Sequence, residues 1–281
     1  ENPYEFALRG AGDGLGKVAL GQSLTADHVL RFQDLIPQAN YQLATYALAE
    51  LFTRKDEAEI AELRKAGQAI DAVHAQVPKL LQPGRTEAEV AQELEELILQ
   101  EHTVIDFVIV GSGPNGANPH HSFSDRVLAE GEPVVVDIGG TLPSGYHSDC
   151  TRTYVVGGDI SKAPQDFQDA YAVLADAQAA ARAAAHPGST AADIDAITRQ
   201  AISAAGWGDY FVHRTGHGIG LSTHEEPFIM EGNDLTLEEG MAFSIEPGIY
   251  VEGKWGMRLE DIVVLTSDGY ESLNLAPREV R

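Results

Sequence analysis

Five acidic or imidazole side chains stand on stretches too apolar to carry unpaired charge. Asp137 closes the run Val134-Val135-Val136, and Asp149 precedes the β-branched stretch that begins at Thr151. His217 lies within Gly216-His217-Gly218-Ile219-Gly220, Glu246 within Phe243-Ser244-Ile245-Glu246-Pro247, and Glu260 just before Asp261-Ile262-Val263-Val264. Burying such groups is costly unless they are paired or bound to metal. Any one of the acids alone is explained as well by an ion pair or a capped loop. Together, with few basic residues nearby, they would repel one another strongly in a cleft. Divalent cations remove that repulsion. Four carboxylates and one imidazole offer oxygen-rich ligation able to bridge two metals about 3.5–4 Å apart. Such hard donors suit Mn²⁺, Co²⁺, Fe²⁺ or Zn²⁺, and two ions per chain (Mn, Co or Zn) are expected.

The elements that must position these groups are legible in the hydrophobic pattern. Alternation along an extended strand puts Asp149 and Thr151 on one face and turns Cys150 and Arg152 to the other. Strands are expected at 104–110, 133–138, 151–156, 210–213, 241–251 and 259–266. Helices are expected over 25–52 with a break at Pro37, then over 56–77, 86–100, 164–185 and 190–205. Ile60, Leu63, Ile70 and Val73 form one stripe of the second of these. The order helix, helix, strands occurs twice. Its turn recurs in letters: Pro83-Gly84-Arg85-Thr86-Glu87-Ala88-Glu89-Val90 matches Pro187-Gly188-Ser189-Thr190-Ala191-Ala192-Asp193-Ile194. Each octapeptide caps a helix, the first as a Thr-x-x-Glu box. An α+β fold of two related halves follows, with a cleft between them as the natural ligand site.

Composition narrows the partners. With 43 acidic against 19 basic residues the formal charge is −24, which disfavours nucleic acid and anionic membranes. One cysteine allows no internal disulfide, and no apolar run approaches a membrane span, so a cytoplasmic protein is expected. Gly12-Asp13-Gly14-Leu15-Gly16-Lys17 resembles a phosphate loop only superficially. That motif needs glycine and Ser/Thr where Ala11 and Val18 stand.

Taken together, Val136–Gly139, Ser148–Thr153, Gly216–Gly220, Ile245–Tyr250 and Arg258–Asp261 resemble, in order, the motifs of the pita-bread metallopeptidases: methionine aminopeptidase, aminopeptidase P and prolidase. The resemblance runs from about Asp56 to the C-terminus. It implies a pita-bread fold, two pseudo-symmetric helix-helix-strand halves around a curved, mainly antiparallel sheet, over 53–281. Residues 1–52 would be the remnant of an N-terminal domain. It also implies metal ligation by Asp137, Asp149, His217, Glu246 and Glu260, with Asp149 and Glu260 bridging. Glu246 would shuttle the proton of the attacking water, His224 stabilise the oxyanion, and His120 contact substrate near the leaving group. His213 and Phe107 would line the substrate pocket, and Arg258 and Thr151 support the carboxylates. His121 acquires no role.

The Pro247-Gly248-Ile249-Tyr250 continuation, the Arg258–Asp261 ending and His213 resemble the proline peptidases. The expected substrates are short peptides with proline in second position, and the expected assembly is a homodimer. Prolidase is preferred, with aminopeptidase P and then methionine aminopeptidase as alternatives. A non-catalytic pita-bread binding module is the reading from a different class. Dipeptidases of the family often carry an arginine shortly after the His224-type histidine to hold the substrate carboxylate; Phe228 and its neighbours supply none.

Overall fold

A computed structural model describes residues 2–9, 14–21 and 23–280; Ala11, Gly12 and Asp13 of the phosphate-loop-like segment lie outside them. The chain divides into two compact units, 1–52 and 53–281.

The first unit holds α1 (Pro3–Leu8), β1 (Lys17–Leu20), α2 (Ala26–Leu35), β2 (Asn40–Leu43) and α3 (Ala44–Ala47), with α4 (Ala49–Thr53) at its end. β2 pairs in parallel with β1. The sequence pattern predicts helix on past Pro37. Residues 40–43 are strand instead, because β1 supplies a ladder partner and the Tyr41 hydroxyl caps α2 by donating to the Phe32 and Ile36 carbonyls. Ile36 is the only buried side chain among this unit's described residues.

The second unit begins with α5 (Glu57–His74), α6 (Val77–Leu80) and α7 (Glu87–Ile98), which back the antiparallel sheet β3 (Val104–Ser112), β4 (Pro133–Thr141), β5 (Cys150–Val155). Asp56 with Glu59 and Thr86 with Glu89 form capping boxes, and the stripe Ile60, Leu63, Ile70, Val73 is buried as expected. Next come α8 (Gln165–Ala184), α9 (Ala191–Ala204), β6 (Gly216–Gly218), β7 (Glu225–Ile229), β8 (Ala242–Ile245), β9 (Gly248–Val251), β10 (Trp255–Arg258), β11 (Asp261–Thr266) and β12 (Gly269–Ser272). One antiparallel sheet has the order β12-β11-β8-β6-β7, and β9 pairs with β10. Among the described residues no helix is long and apolar enough to cross a membrane.

The repeat is structural as well as literal. Gly84 and Gly188 both adopt positive φ, 92° and 98°, where a side chain would be strained. Gly84 N–H donates to the Leu128 carbonyl and Gly188 N–H to that of Leu237, both at 2.9 Å. Thr86 bridges Val127 as Thr190 bridges Thr236, and Thr190 with Asp193 repeats the capping box. Each half packs helices on its own sheet through a separate core, centred on Leu94, Val136 and Ile138 in one and on Ile194, Phe243 and Val263 in the other.

Two expected strands differ. Residues 210–213 are not extended, because Arg199 of α9 bonds the Phe211 and His213 carbonyls at 3.4 and 3.0 Å in place of a strand partner. The stretch 241–251 is two strands, interrupted at Pro247, which has no N–H to donate; at the break Glu246 N–H turns to the Thr215 carbonyl, 2.7 Å away.

Candidate functional site

The antiparallel register of β4 and β5 sets Asp137 opposite Thr151 and Ile138 opposite Cys150. Asp137 and Thr151 therefore share a face, and alternation adds Asp149. Cys150 turns the other way into the first core, fully buried. From the second half the Thr151 hydroxyl receives Glu260: it donates to Oε2 at 2.7 Å, while Glu260 N–H donates to the Thr151 carbonyl at 3.2 Å. His217, on β6, points its Nε2 to within 3.6 Å of Asp149 Oδ2 and 3.1 Å of Glu246 Oε1. One ligand atom each of Asp149, His217 and Glu260 lie within 4.8 Å of one another. All five sequence-predicted ligands thus converge, two from one half and three from the other.

Local sequence explains the aim of the imidazole. A Cβ on Gly216 would fall 1.8 Å from the Ser244 carbonyl oxygen, and one on Gly218 2.2 Å from that of Glu226, so only glycine lets β6 lie this close to its neighbours. The His217 ring then donates Nδ1–H to the Gly218 carbonyl at 3.0 Å. A carbonyl can only accept, so Nδ1 carries its hydrogen and Nε2 is the nitrogen turned to the carboxylates, the one available to a metal.

Electrostatically the floor is short of positive charge. Arg258 donates from Nη2 to Asp137 Oδ2 at 2.6 Å, from Nε to Thr151 Oγ1 at 3.0 Å and from Nη1 to the Tyr250 hydroxyl at 2.7 Å. Among the described residues it is the only guanidinium hydrogen-bonded to any of the four carboxylates, and that bond goes to Asp137 alone. Burial, then the charges of Glu260, Asp137 and Glu246, push the Asp149 pKa well up. Glu260 is raised well by burial, then by Glu246 and Asp137. Asp137 is raised too, by burial, with Arg258 opposing. Glu246 moves the other way: burial would raise it, but the bond to His217 and that ring's charge hold it low. Asp137 Oδ1 and Glu260 Oε1 are buried with no hydrogen-bond partner. Repelling carboxylates with orphaned oxygens and an imidazole nitrogen turned towards them fit a divalent cation.

Above the floor lies a cavity of about 980 Å³. Asp137, Asp149, His217, Glu246 and Arg258 reach it, as do Phe107, His120, His213 and His224; Glu260 and Thr151 sit beneath. His224 packs its ring 4.1 Å from that of His217. Although the residue is exposed at the rim, its ring is shielded enough, and close enough to His217 and Arg214, that its pKa falls to about 4. It is neutral at pH 7. Burial lowers His213 to about 4 as well. Its Nδ1–H donates to the Arg214 carbonyl at 2.6 Å, so Nε2 accepts from the Tyr250 hydroxyl at 2.9 Å. Burial lifts Tyr250 to about 12, which keeps that proton in place. His120 is exposed, on a loop held down by the Pro119 carbonyl accepting from Arg258 at 3.4 Å. The loop also packs Gly116 against Gly256, where a Cβ would lie 1.8 Å from the Gly116 oxygen. His121 bonds buried Glu87 at 2.9 Å and faces away from this chemistry.

Three contributors were not singled out by sequence. The Ser244 hydroxyl donates to Glu246 Oε1 at 2.9 Å and accepts from His217 N–H at 2.9 Å; its place two residues before Glu246 on one strand was the available signal. Tyr250 lay inside a quoted motif. Arg214, which lines the cavity, had only its adjacency to His213.

Residues 61–267 match the model of metallopeptidase family M24. The probable dipeptidase PepE of Mycobacterium tuberculosis is 52% identical over all of this chain and 74% of that protein. An Xaa-Pro dipeptidase of Lactobacillus delbrueckii subsp. lactis is 40% identical over 92% of this chain and 70% of its own length. The prolidase structure from Thermococcus sibiricus superposes with a TM-score of 0.92 at 36% identity, covering 100% of this chain and 77% of that one.

Proposed function

The chain belongs to metallopeptidase family M24, and on that footing we propose that it is an Xaa-Pro dipeptidase holding two divalent ions, Mn²⁺, Co²⁺ or Zn²⁺. The observation that carries the reading is the cavity floor, where Asp137, Asp149, His217, Glu246 and Glu260 converge with two buried carboxylate oxygens unpartnered. These five residues would hold the ions. Bound there, divalent cations supply a water of lowered pKa and polarise the scissile carbonyl.

The remaining work belongs to the chain's own groups. Glu246, low in pKa and steadied at Oε1 by the Ser244 hydroxyl, accepts the proton of the attacking water on its carboxylate and passes it on. The neutral ring of His224 donates its N–H to the carbonyl oxygen as charge develops. The scissile amide nitrogen is proline's own and carries no hydrogen, so the departing amine depends on that delivered proton, with His120 in contact at the rim. Phe107 gives the substrate an apolar wall. His213 gives a rigid neutral one, because Arg258, Tyr250 and His213 form a single donor-to-acceptor chain. Arg258 and Thr151 keep Asp137 and Glu260 turned inward.

Support for proline specificity comes from the relatives whose names carry it, at 40% and 36% identity. Aminopeptidase P stays the second reading because Phe228 stands where a carboxylate-binding arginine is expected. Residues 1–52 as the remnant of an N-terminal domain, a homodimer and cytoplasmic residence complete the proposal. Cys150 is buried and unbridged, which suits a reducing compartment.

The test compares Met-Pro, Met-Pro-Gly and Met-Gly-Gly after chelation and after return of Mn²⁺ or Co²⁺. Metal-dependent cleavage of Met-Pro in preference to the others is expected. Efficient cleavage of Met-Pro-Gly transfers the assignment to aminopeptidase P, and metal-independent turnover sinks the site.

A further inference from the structure

We propose that Arg214 binds the free C-terminal carboxylate of the dipeptide and so limits the enzyme to two-residue substrates. The inference rests on the dipeptidase reading and deepens it. A dipeptide brings a carboxylate into a cavity already crowded with carboxylates, so binding requires a permanent cation that is not otherwise engaged. Two guanidinium groups line the cavity, Arg258 and Arg214. Arg258 is committed on all its nitrogens, to Asp137, Thr151 and Tyr250. Among the described residues the Arg214 guanidinium makes no hydrogen bond and no ion pair.

Its cation–π contact takes none of its donors as hydrogen bonds. The guanidinium carbon lies 4.8 Å from the ring centroid of Phe228. Stacking engages the flat face of a guanidinium, whereas its five N–H groups radiate in the plane. With no hydrogen bond or ion pair taking them among the described residues, the Arg214 donors remain available to match a carboxylate. Phe228 stands where an arginine following His224 is missing. By stacking, it would orient a cation supplied from the neighbouring segment.

That segment is well held. Thr215 N–H donates to the Ile229 carbonyl at 2.9 Å, and Gly216 pairs with Ile229, which locks the residues after Arg214 alongside those after Phe228. The Arg214 carbonyl accepts from His213 Nδ1. Arg214 itself is only half-buried, so its charge avoids a large desolvation penalty and still faces the cavity beside His213 and His224. The role is in specificity, and nothing places Arg214 on the reacting atoms.

The experiment measures kcat and KM for Met-Pro and for Met-Pro-amide, which lacks the carboxylate, in metal-loaded wild type, Arg214→Ala, Arg214→Gln and Arg214→Lys. Wild type should prefer the free acid. In Arg214→Ala and Arg214→Gln that preference should fall about 10- to 100-fold, the worth of charge-assisted hydrogen bonds, mainly through KM for Met-Pro. Arg214→Lys, a single-point cation, should recover part of it. Phe228→Ala should erode the preference a few-fold, as loss of a cation–π contact would. An unchanged preference in Arg214→Ala or Arg214→Gln, with both substrates slowed equally, overturns the inference, as does a wild type indifferent to the amide. A wild type that ignores Met-Pro but cleaves Met-Pro-Gly sinks the dipeptidase reading, and the clamp falls with it.

Discussion

Glu260 and Asp261 are neighbours in the chain, equally buried, and opposite in circumstance. Asp261 accepts from Arg152 Nη2 at 2.8 Å, Arg278 Nε at 2.7 Å and Gln178 Nε2 at 2.8 Å, with Arg182 Nε at 3.4 Å. Glu260 has the Thr151 hydroxyl on one oxygen and no partner on the other. The same division runs through the facing strand, where Thr151 serves the cavity side and Arg152 the other. Two clusters of buried charge thus stand back to back. One is overcompensated by three guanidinium groups; the other has a surplus of carboxylates. Burial alone does not separate structural from functional charge. The balance of partners around the group does.

The sharpest break of that comparison is a pair of substitutions. Asp261→Ala leaves Arg152 buried without its carboxylate, which should cost about 3–5 kcal/mol. Glu260→Gln imitates the protonated acid that the crowded metal-free site favours, so it should shift stability by less than about 1 kcal/mol while abolishing metal binding. Urea unfolding in EDTA and metal analysis read both. Equal destabilisation of the two variants would erase the distinction.

Groups on the cavity side should carry turnover without carrying stability. His224→Ala should lower kcat by about 10²–10³-fold, the range for losing one oxyanion donor, with metal content and the unfolding midpoint nearly unmoved. Loss of metal in that variant would make His224 a ligand.

The smallest effect sharpens the structural side. His74 donates Nε2–H to the Cys150 carbonyl and accepts from the Tyr154 hydroxyl, both at 2.9 Å. Burial, aided by the charge of Arg152, lowers its pKa from 6.5 to about 3. The unfolded chain therefore takes up the proton first. The stability His74 contributes is complete above pH 6.5 and is lost as pH falls toward 3. Between pH 6.5 and 5 the metal-free protein should lose about 2 kcal/mol through this group, and His74→Gln should flatten that slope. An unchanged slope would assign the acid sensitivity elsewhere.

Sequence by itself determined most of the second unit. Helix caps at Asp56, Thr86 and Thr190 and the stripes behind them are local signals, read within three or four residues. The duplicated turn carried the two-half architecture, because one octapeptide performs the same capping and bridging twice. The five candidate ligands were visible because charge on an apolar strand is anomalous wherever the chain goes. Only tertiary structure could decide what depends on a distant partner. Residues 40–43 became strand because β1 lay alongside, and 210–213 stayed irregular because Arg199 took their carbonyls. Pattern alone made Glu260 and Asp261 alike as buried acids. The guanidinium groups that separate them come from positions 152, 182 and 278, each contributed by a remote element. The availability of Arg214 is likewise a matter of contacts: its guanidinium rests on a ring fourteen residues later in the chain and, among the described residues, on no carboxylate.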